Sequence, residues 1–299
     1  MTSLHAKQLL KNAVYRSIGE AVSVFGGGGG EAAGERVLRV LMYHKVNDRH
    51  DSTVTVPTAA FEEQMAQLGE LGYTVVGLDA VLDQYLEVRP LPPRAVLITF
   101  DDGYRDNLEN ALPVLQRHGY PAVLFAPVGF VGERIPLPHD EPGASRGLLD
   151  PTLDWGELRE LDEAGVRVES HGISHVPLSR LSDEDAKREL LVSKQRLEDA
   201  LGRPVRAFAF VKGSPAHFRP VHVELLRTAG YDLGFTTVSG ANGAGADRYR
   251  LRRCNIEPYS ARTFQLVLEG ACDAISFKDT FAGTRVRRAL NAALGTGSK

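Results

Sequence analysis

From residue 37 onward, short apolar runs alternate with amphipathic stretches. Residues 37–43 (VLRVLMY) read as a strand. Phe61, Met65, Leu68 and Leu71 then recur at helical spacing, and Gly72 ends that helix. Residues 73–78 form a second expected strand, followed by a helix. Residues 95–100 (AVLITF) are almost wholly apolar and β-rich, as in a strand covered on both faces. The alternation continues with a helix over 107–118, a strand over 122–127, a helix over 153–164 and a strand over 166–170. A long charged helix over 183–201 precedes a strand over 205–210, a helix over 220–229, and strands over 231–237 and 249–256. This βαβα rhythm predicts an α/β fold with seven or eight parallel strands. A distorted (β/α) barrel is the natural closure, and a doubly wound open sheet is the alternative. The segment 129–151, rich in Pro, Gly and charge, is expected to be a long functional loop.

The first 35 residues read differently. Leu10, Val14, Ile18, Ala21 and Phe25 lie on one helical stripe, with Lys7, Lys11 and Arg16 off it. This predicts a short helix, docked on the domain or lying against a membrane surface through residues 4–25. Five consecutive glycines, 26–30, follow. No preceding strand or GxGxxG spacing accompanies them, so they read as a linker rather than a phosphate loop. The organisation expected is an arm over 1–35, a barrel domain over 36–281 and a tail over 282–299. No apolar run of about 18 residues exists, and charges break up any signal-like stretch near the N-terminus. The expectation is a protein of the cytoplasm or the cytoplasmic membrane surface.

Composition narrows the classes. Thirty-five basic against 38 acidic residues leave a formal charge of −3, which excludes nucleic-acid binding by bulk charge. Cys254 and Cys272 are the only cysteines, too few for a disulfide framework or a multi-cysteine zinc site, and they read as buried thiols.

Two motifs carry chemistry. TFDDGY, residues 99–104, follows the most apolar strand. In a barrel, loops at the C-terminal strand ends hold the active site. Adjacent carboxylates there, Asp101 and Asp102, require compensation by a cation or a proton. SHGISH, residues 170–175, places His171 and His175 four apart at the end of another expected strand. Two imidazoles and one carboxylate form a three-ligand set that leaves positions open for water on a divalent metal. The second carboxylate is then free to act as a general base.

TFDDGY followed by a strand-end SHxxxH resembles the polysaccharide deacetylase family, the NodB-like carbohydrate esterases. LMYHKV at 41–46, the helix and strand up to Val76, ALGRPVRAFAF and GYDLGFTT agree with that resemblance, which covers roughly residues 37–257. It implies a distorted (β/α) barrel of about seven strands. It also implies metal ligation, most often of zinc, by Asp102, His171 and His175. Asp101 would be the base toward water activated on that metal. The substrate would be an N-acetylated amino sugar in a polysaccharide, glycolipid or glycan precursor, with no nucleic-acid partner. Tyr104 and Lys212 fall on the substrate and oxyanion side.

Two departures stand out. The third family motif reads FAFVKG at 208–213, so Ala209 replaces the Arg that orients the base in one branch, and Lys212 replaces Tyr. At the strand that carries a late catalytic His in relatives, this chain reads RLRRCNIEP without one. His44 is the best substitute acid by position, with His217 and His222 weaker candidates. Asp232 matches a residue that supports the acid. A catalytically impaired carbohydrate-binding module is the competing reading.

Overall fold

A computed structural model of the chain describes residues 36–270 apart from 50, 51, 53, 88, 146 and 148, together with 13, 16, 17, 20 and 273. The expected arm, linker and membrane-contacting stretch, the tail over 282–299, and Cys272 therefore fall wholly or almost wholly outside the described residues. No helix among the described residues is long and apolar enough to cross a membrane.

Eight strands form one curled sheet. They are β1 (Leu38–Tyr43), β4 (Thr74–Val75), β5 (Ala95–Asp101), β6 (Ala122–Ala126), β7 (Val166–Ser170), β8 (Ala207–Ala209), β9 (Leu233–Phe235) and β10 (Cys254–Asn255). The order is β10-β1-β5-β6-β7-β8-β9, with β4 beside the first half of β5, and every pairing is parallel. The open ends approach each other through a parallel bridge between Phe235 and Leu251. The result is the distorted barrel that the alternation of elements predicts. Two short strands, β2 (Lys45–Val46) and β3 (Thr55–Val56), pair separately above β1.

Each side chain's face follows from the two-residue strand repeat. Leu38, Val40, Ala95, Leu97, Val123, Phe125, Ala207, Ala209, Leu233 and Phe235 form one apolar cluster, the barrel interior. Leu41, Tyr43, Val96, Ile98, Phe100, Leu124, Val166 and Val168 face the other way, toward the helices. Those helices are α1 (Thr58–Glu70), α2 (Leu78–Leu82), α3 (Leu112–His118), α4 (Glu141–Ala144), α5 (Trp155–Glu163), α6 (Asp183–Leu201), α7 (Pro220–Thr228) and α8 (Ala261–Leu268). Their ends obey local chemistry. Asp154 caps α5 in a full capping box with Glu157, and Gly119 and Gly202 close α3 and α6 in the left-handed conformation.

Several expected elements are shorter than their apolar runs. The strand expected over 73–78 pairs only at 74–75, and those over 205–210, 231–237 and 249–256 shrink to three, three and two residues. Apolar runs report burial, whereas ladder pairing also needs a neighbour in register, and the barrel opens at this edge. The helix expected over 107–118 starts with a wider π-helical turn at Asn107–Ala111. Helix α8, absent from the sequence reading, is capped by Ser260 and tied to α1 by Gln67 Nε2 donating to the Ala261 carbonyl at 2.8 Å.

Tyr43, Phe61 and Phe100 lock α1 onto the sheet, with Tyr43–Phe61 and Tyr43–Phe100 ring separations of 5.1 and 5.7 Å. Phe61→Ala should cost about 3–5 kcal/mol in urea denaturation, whereas Val192→Ala on the exposed face of α6 should stay within about 0.5 kcal/mol. Equal effects would contradict this packing account.

Candidate active site

β5 ends at the mouth of the barrel. The two-residue repeat that turns Ala95 and Leu97 inward also turns Thr99 and Asp101 inward. Asp102 would point the opposite way if the strand continued. Instead the chain bends sharply, with φ of +77° at Asp102 and +67° at Gly103. Aspartate tolerates this left-handed conformation better than most residues. The turn sends two consecutive carboxylates to different partners.

Asp101 meets Arg253, which immediately precedes β10. The pair is bidentate, Nη1 to Oδ1 at 2.6 Å and Nη2 to Oδ2 at 2.7 Å, and both side chains are buried. Arg253 Nε donates to the Thr236 carbonyl, so the guanidinium is held from behind. Burial works to raise the Asp101 pKa, but Arg253 outweighs it and holds the carboxyl below its ordinary value. Ala209 therefore needs no arginine of its own, because Arg253 approaches from the last strand. The sequence reading missed Arg253. Its only signal was an arginine within the last expected strand, in the basic stretch RLRR.

Asp102 meets His171 and His175. Its Oδ1 lies 3.5 Å from His171 Nε2 and 2.8 Å from His175 Nε2. Each residue offers one ligand atom, all within 4.8 Å of one another. Neither contact has hydrogen-bond geometry, and Oδ1 is a buried acceptor without a hydrogen-bond partner among the described residues. A cation would satisfy it, so the donor set fits a divalent metal of the zinc type. His171 follows β7 on the inward side, and its Nδ1 donates to the Ala209 carbonyl at 2.7 Å, leaving Nε2 free to face Asp102 as the atom that would bind a metal. Burial pushes His171 down to about 4, which keeps its lone pair available. For His175, burial works downward but the Asp102 carboxylate prevails and raises it. Burial works upward on Asp102, and His175 holds it well below the carboxylate range.

The turn carrying His175 is itself anchored. Glu189 of α6 accepts from the N–H of Ile173 at 2.6 Å and of Ser174 at 3.1 Å. Gly172 is required beside it, since its φ is +82° and a Cβ would sit 2.9 Å from Glu189 Oε2.

Other candidates separate by position. His44 lies between β1 and β2, and its charge would act on both Asp101 and Asp102. Its Nδ1 is buried without a hydrogen-bond partner among the described residues. Tyr104 is buried, and its hydroxyl donates to Asp140 at 2.6 Å rather than facing open space. Lys212 is exposed, with φ +56°, and its charge acts on His175. His217 bonds Ser214 Oγ, and His222 accepts from the Arg219 N–H at the start of α7. Asp232 is a correction. It precedes β9 at the N-terminal strand end, paired with Arg206 at 2.6 Å, so the barrel separates it from the site. His139 was not foreseen, although its loop was. Its Nε2 lies 2.8 Å from the Tyr104 oxygen and 3.5 Å from Asp102 Oδ2.

The chain matches the polysaccharide deacetylase family model over residues 89–234. YxkH of Bacillus subtilis (strain 168), whose name places it among the polysaccharide deacetylases, is 28% identical over 222 residues, covering 74% of this chain and 72% of that protein. The poly-beta-1,6-N-acetyl-D-glucosamine N-deacetylase of Escherichia coli (strain K12) is 38% identical over 238 residues, covering 69% of this chain. The match spans only 35% of that longer protein. Among solved structures, IcaB from Ammonifex degensii superposes with a TM-score of 0.67 at 26% identity, covering 80% of this chain and 98% of that one.

Arg253→Met leaves Asp101 buried without its cation, and should cost about 3–5 kcal/mol in chemical denaturation. Adding Asp101→Leu should recover most of the loss. A single variant within about 1 kcal/mol of wild type would contradict the pairing.

Proposed function

We propose that this chain, which matches the polysaccharide deacetylase family model over residues 89–234, hydrolyses N-acetyl groups on an N-acetylglucosamine polymer. The observation that carries the proposal is the buried Asp102–His171–His175 cluster with its unsatisfied Asp102 Oδ1, next to the arginine-held Asp101. Two imidazoles and one carboxylate suit zinc. Such an ion supplies Lewis acidity to water and to the amide carbonyl.

The chain's own residues do the rest. Asp101 is held ionised by Arg253, and its remaining lone pairs accept the proton of the attacking water. The water oxygen bonds to the acetamide carbon, and the bond from that carbon to the sugar nitrogen breaks. His44, at the rim, delivers a proton to the departing nitrogen. Acetate and a free amino sugar leave.

The impaired-module reading rests on the altered third motif, FAFVKG at 208–213, and on the missing late histidine. The Arg253 pairing with Asp101 answers the Ala209 part of that motif, which favours catalysis over mere binding. The name of the Escherichia coli relative supports a β-1,6-linked N-acetylglucosamine chain as the first substrate to try.

The test is acetate release from a β-1,6-N-acetylglucosamine pentamer, with chitin and peptidoglycan oligomers alongside. Wild type should turn over, lose activity to a chelator and regain it with zinc. Asp101→Asn should reduce kcat by about 10²–10⁴-fold. His175→Ala should require far more zinc for the remaining activity. Zinc-loaded wild type releasing no acetate from any of these would overturn the reading.

A further inference from the structure

The loop between β6 and α5 is tied to the barrel by a buried cation. Lys45, on β2, is 1% exposed, and its Nζ lies 2.8 Å from Asp140 Oδ1 and 2.6 Å from Asp150 Oδ2. Both acids belong to that loop. An ammonium buried this deeply costs several kcal/mol unless carboxylates enclose it, so the lysine requires the two acids, of which Asp150 also pairs with Arg49 Nη1 at 2.8 Å. Nζ also stands 4.7 Å over the ring of Tyr104, two residues beyond the Asp102 ligand candidate.

The tether leads to the site through short contacts. Tyr104 donates its hydroxyl proton to Asp140 Oδ2 at 2.6 Å. Its oxygen is then an acceptor, and His139 Nε2 lies against it at 2.8 Å. The same Nε2 faces Asp102 Oδ2 at 3.5 Å, while the two ligand histidines face Oδ1. The Asp102 carboxylate thus has an imidazole beside each oxygen, His171 and His175 at Oδ1 and His139 of the loop at Oδ2. Nothing else in the proposed chemistry uses Lys45, His139, Asp140 or Asp150.

We propose that Lys45 is a positioning residue that, by clamping the β6–α5 loop, sets His139 against the outer oxygen of Asp102 and so tunes the protein's affinity for its metal. The proposal rests on the metal-site reading given above. Groups that orient a metal-bound carboxylate change metal affinity by about 10–100-fold when removed. Lys45 and His139 act in series, so their effects overlap rather than multiply.

The test is zinc affinity of the full chain, measured by competition with a chromophoric chelator and without reference to turnover. Lys45→Met and His139→Gln should each weaken the Kd by about tenfold. The double variant should be no weaker than about twice the worse single variant. Either single variant within twofold of wild type overturns the proposal, as do effects that multiply. A lowered Tm of metal-free Lys45→Met with unchanged Kd assigns the residue to stability alone, and also overturns it. If Lys45→Met does not fold, Asp140→Asn breaks the same link from the loop side and replaces it in the cycle. Asp102→Ala separates the two levels of the argument. It should abolish binding, and if it binds zinc as wild type does, the metal site itself is wrong and the clamp falls with it.

Discussion

Asp101 and Asp102 are consecutive, both are buried, and water reaches neither freely. Each carboxylate would cost several kcal/mol in such a place without a compensating charge. Much of the local structure answers this constraint. One acid is given a fixed guanidinium from the segment before β10, two strands away. The other is given two imidazoles and left with an oxygen that has no hydrogen-bond partner. The asymmetry divides the labour. The first carboxylate is paired without a ligand and keeps its charge, and the second keeps an oxygen that a cation could satisfy.

The barrel makes this division possible. Parallel strands place all their C-terminal ends at one rim, so residues far apart in sequence meet there. Arg253 reaches Asp101 across 152 positions because the sheet curls until β10 lies beside β1. Left-handed backbone at Asp102 and His175 then aims the side chains. Such conformations persist only where the surroundings over-determine them. Here the Glu189 carboxylate beneath the histidine turn supplies part of that support.

The sequence made the order of elements legible because barrel strands are short apolar runs between amphipathic helices. It made the Asp102–His171–His175 cluster legible because DD and HxxxH stand at strand ends, where topology must bring them together. It was less informative on strand length, since burial outlasts pairing at 205–210 and 249–256. Arg253 was hidden because its role depends on a contact 152 residues away, and RLRR reads as an ordinary basic stretch. His139 was hidden for a related reason. Its loop was marked as functional, but no periodicity tells which loop side chain turns inward. Asp232 shows the reverse error, where a family pattern suggested a role and the strand direction places the residue at the wrong end.

A cation at the Asp102–His171–His175 cluster is the claim on which the chemistry turns. Anomalous diffraction from zinc-soaked crystals at the zinc absorption edge tests it most directly. The account predicts one strong peak per chain, in contact with Nε2 of both histidines and an oxygen of Asp102, with Asp101 still paired to Arg253. An absent peak, or zinc bound only at other side chains, would contradict it.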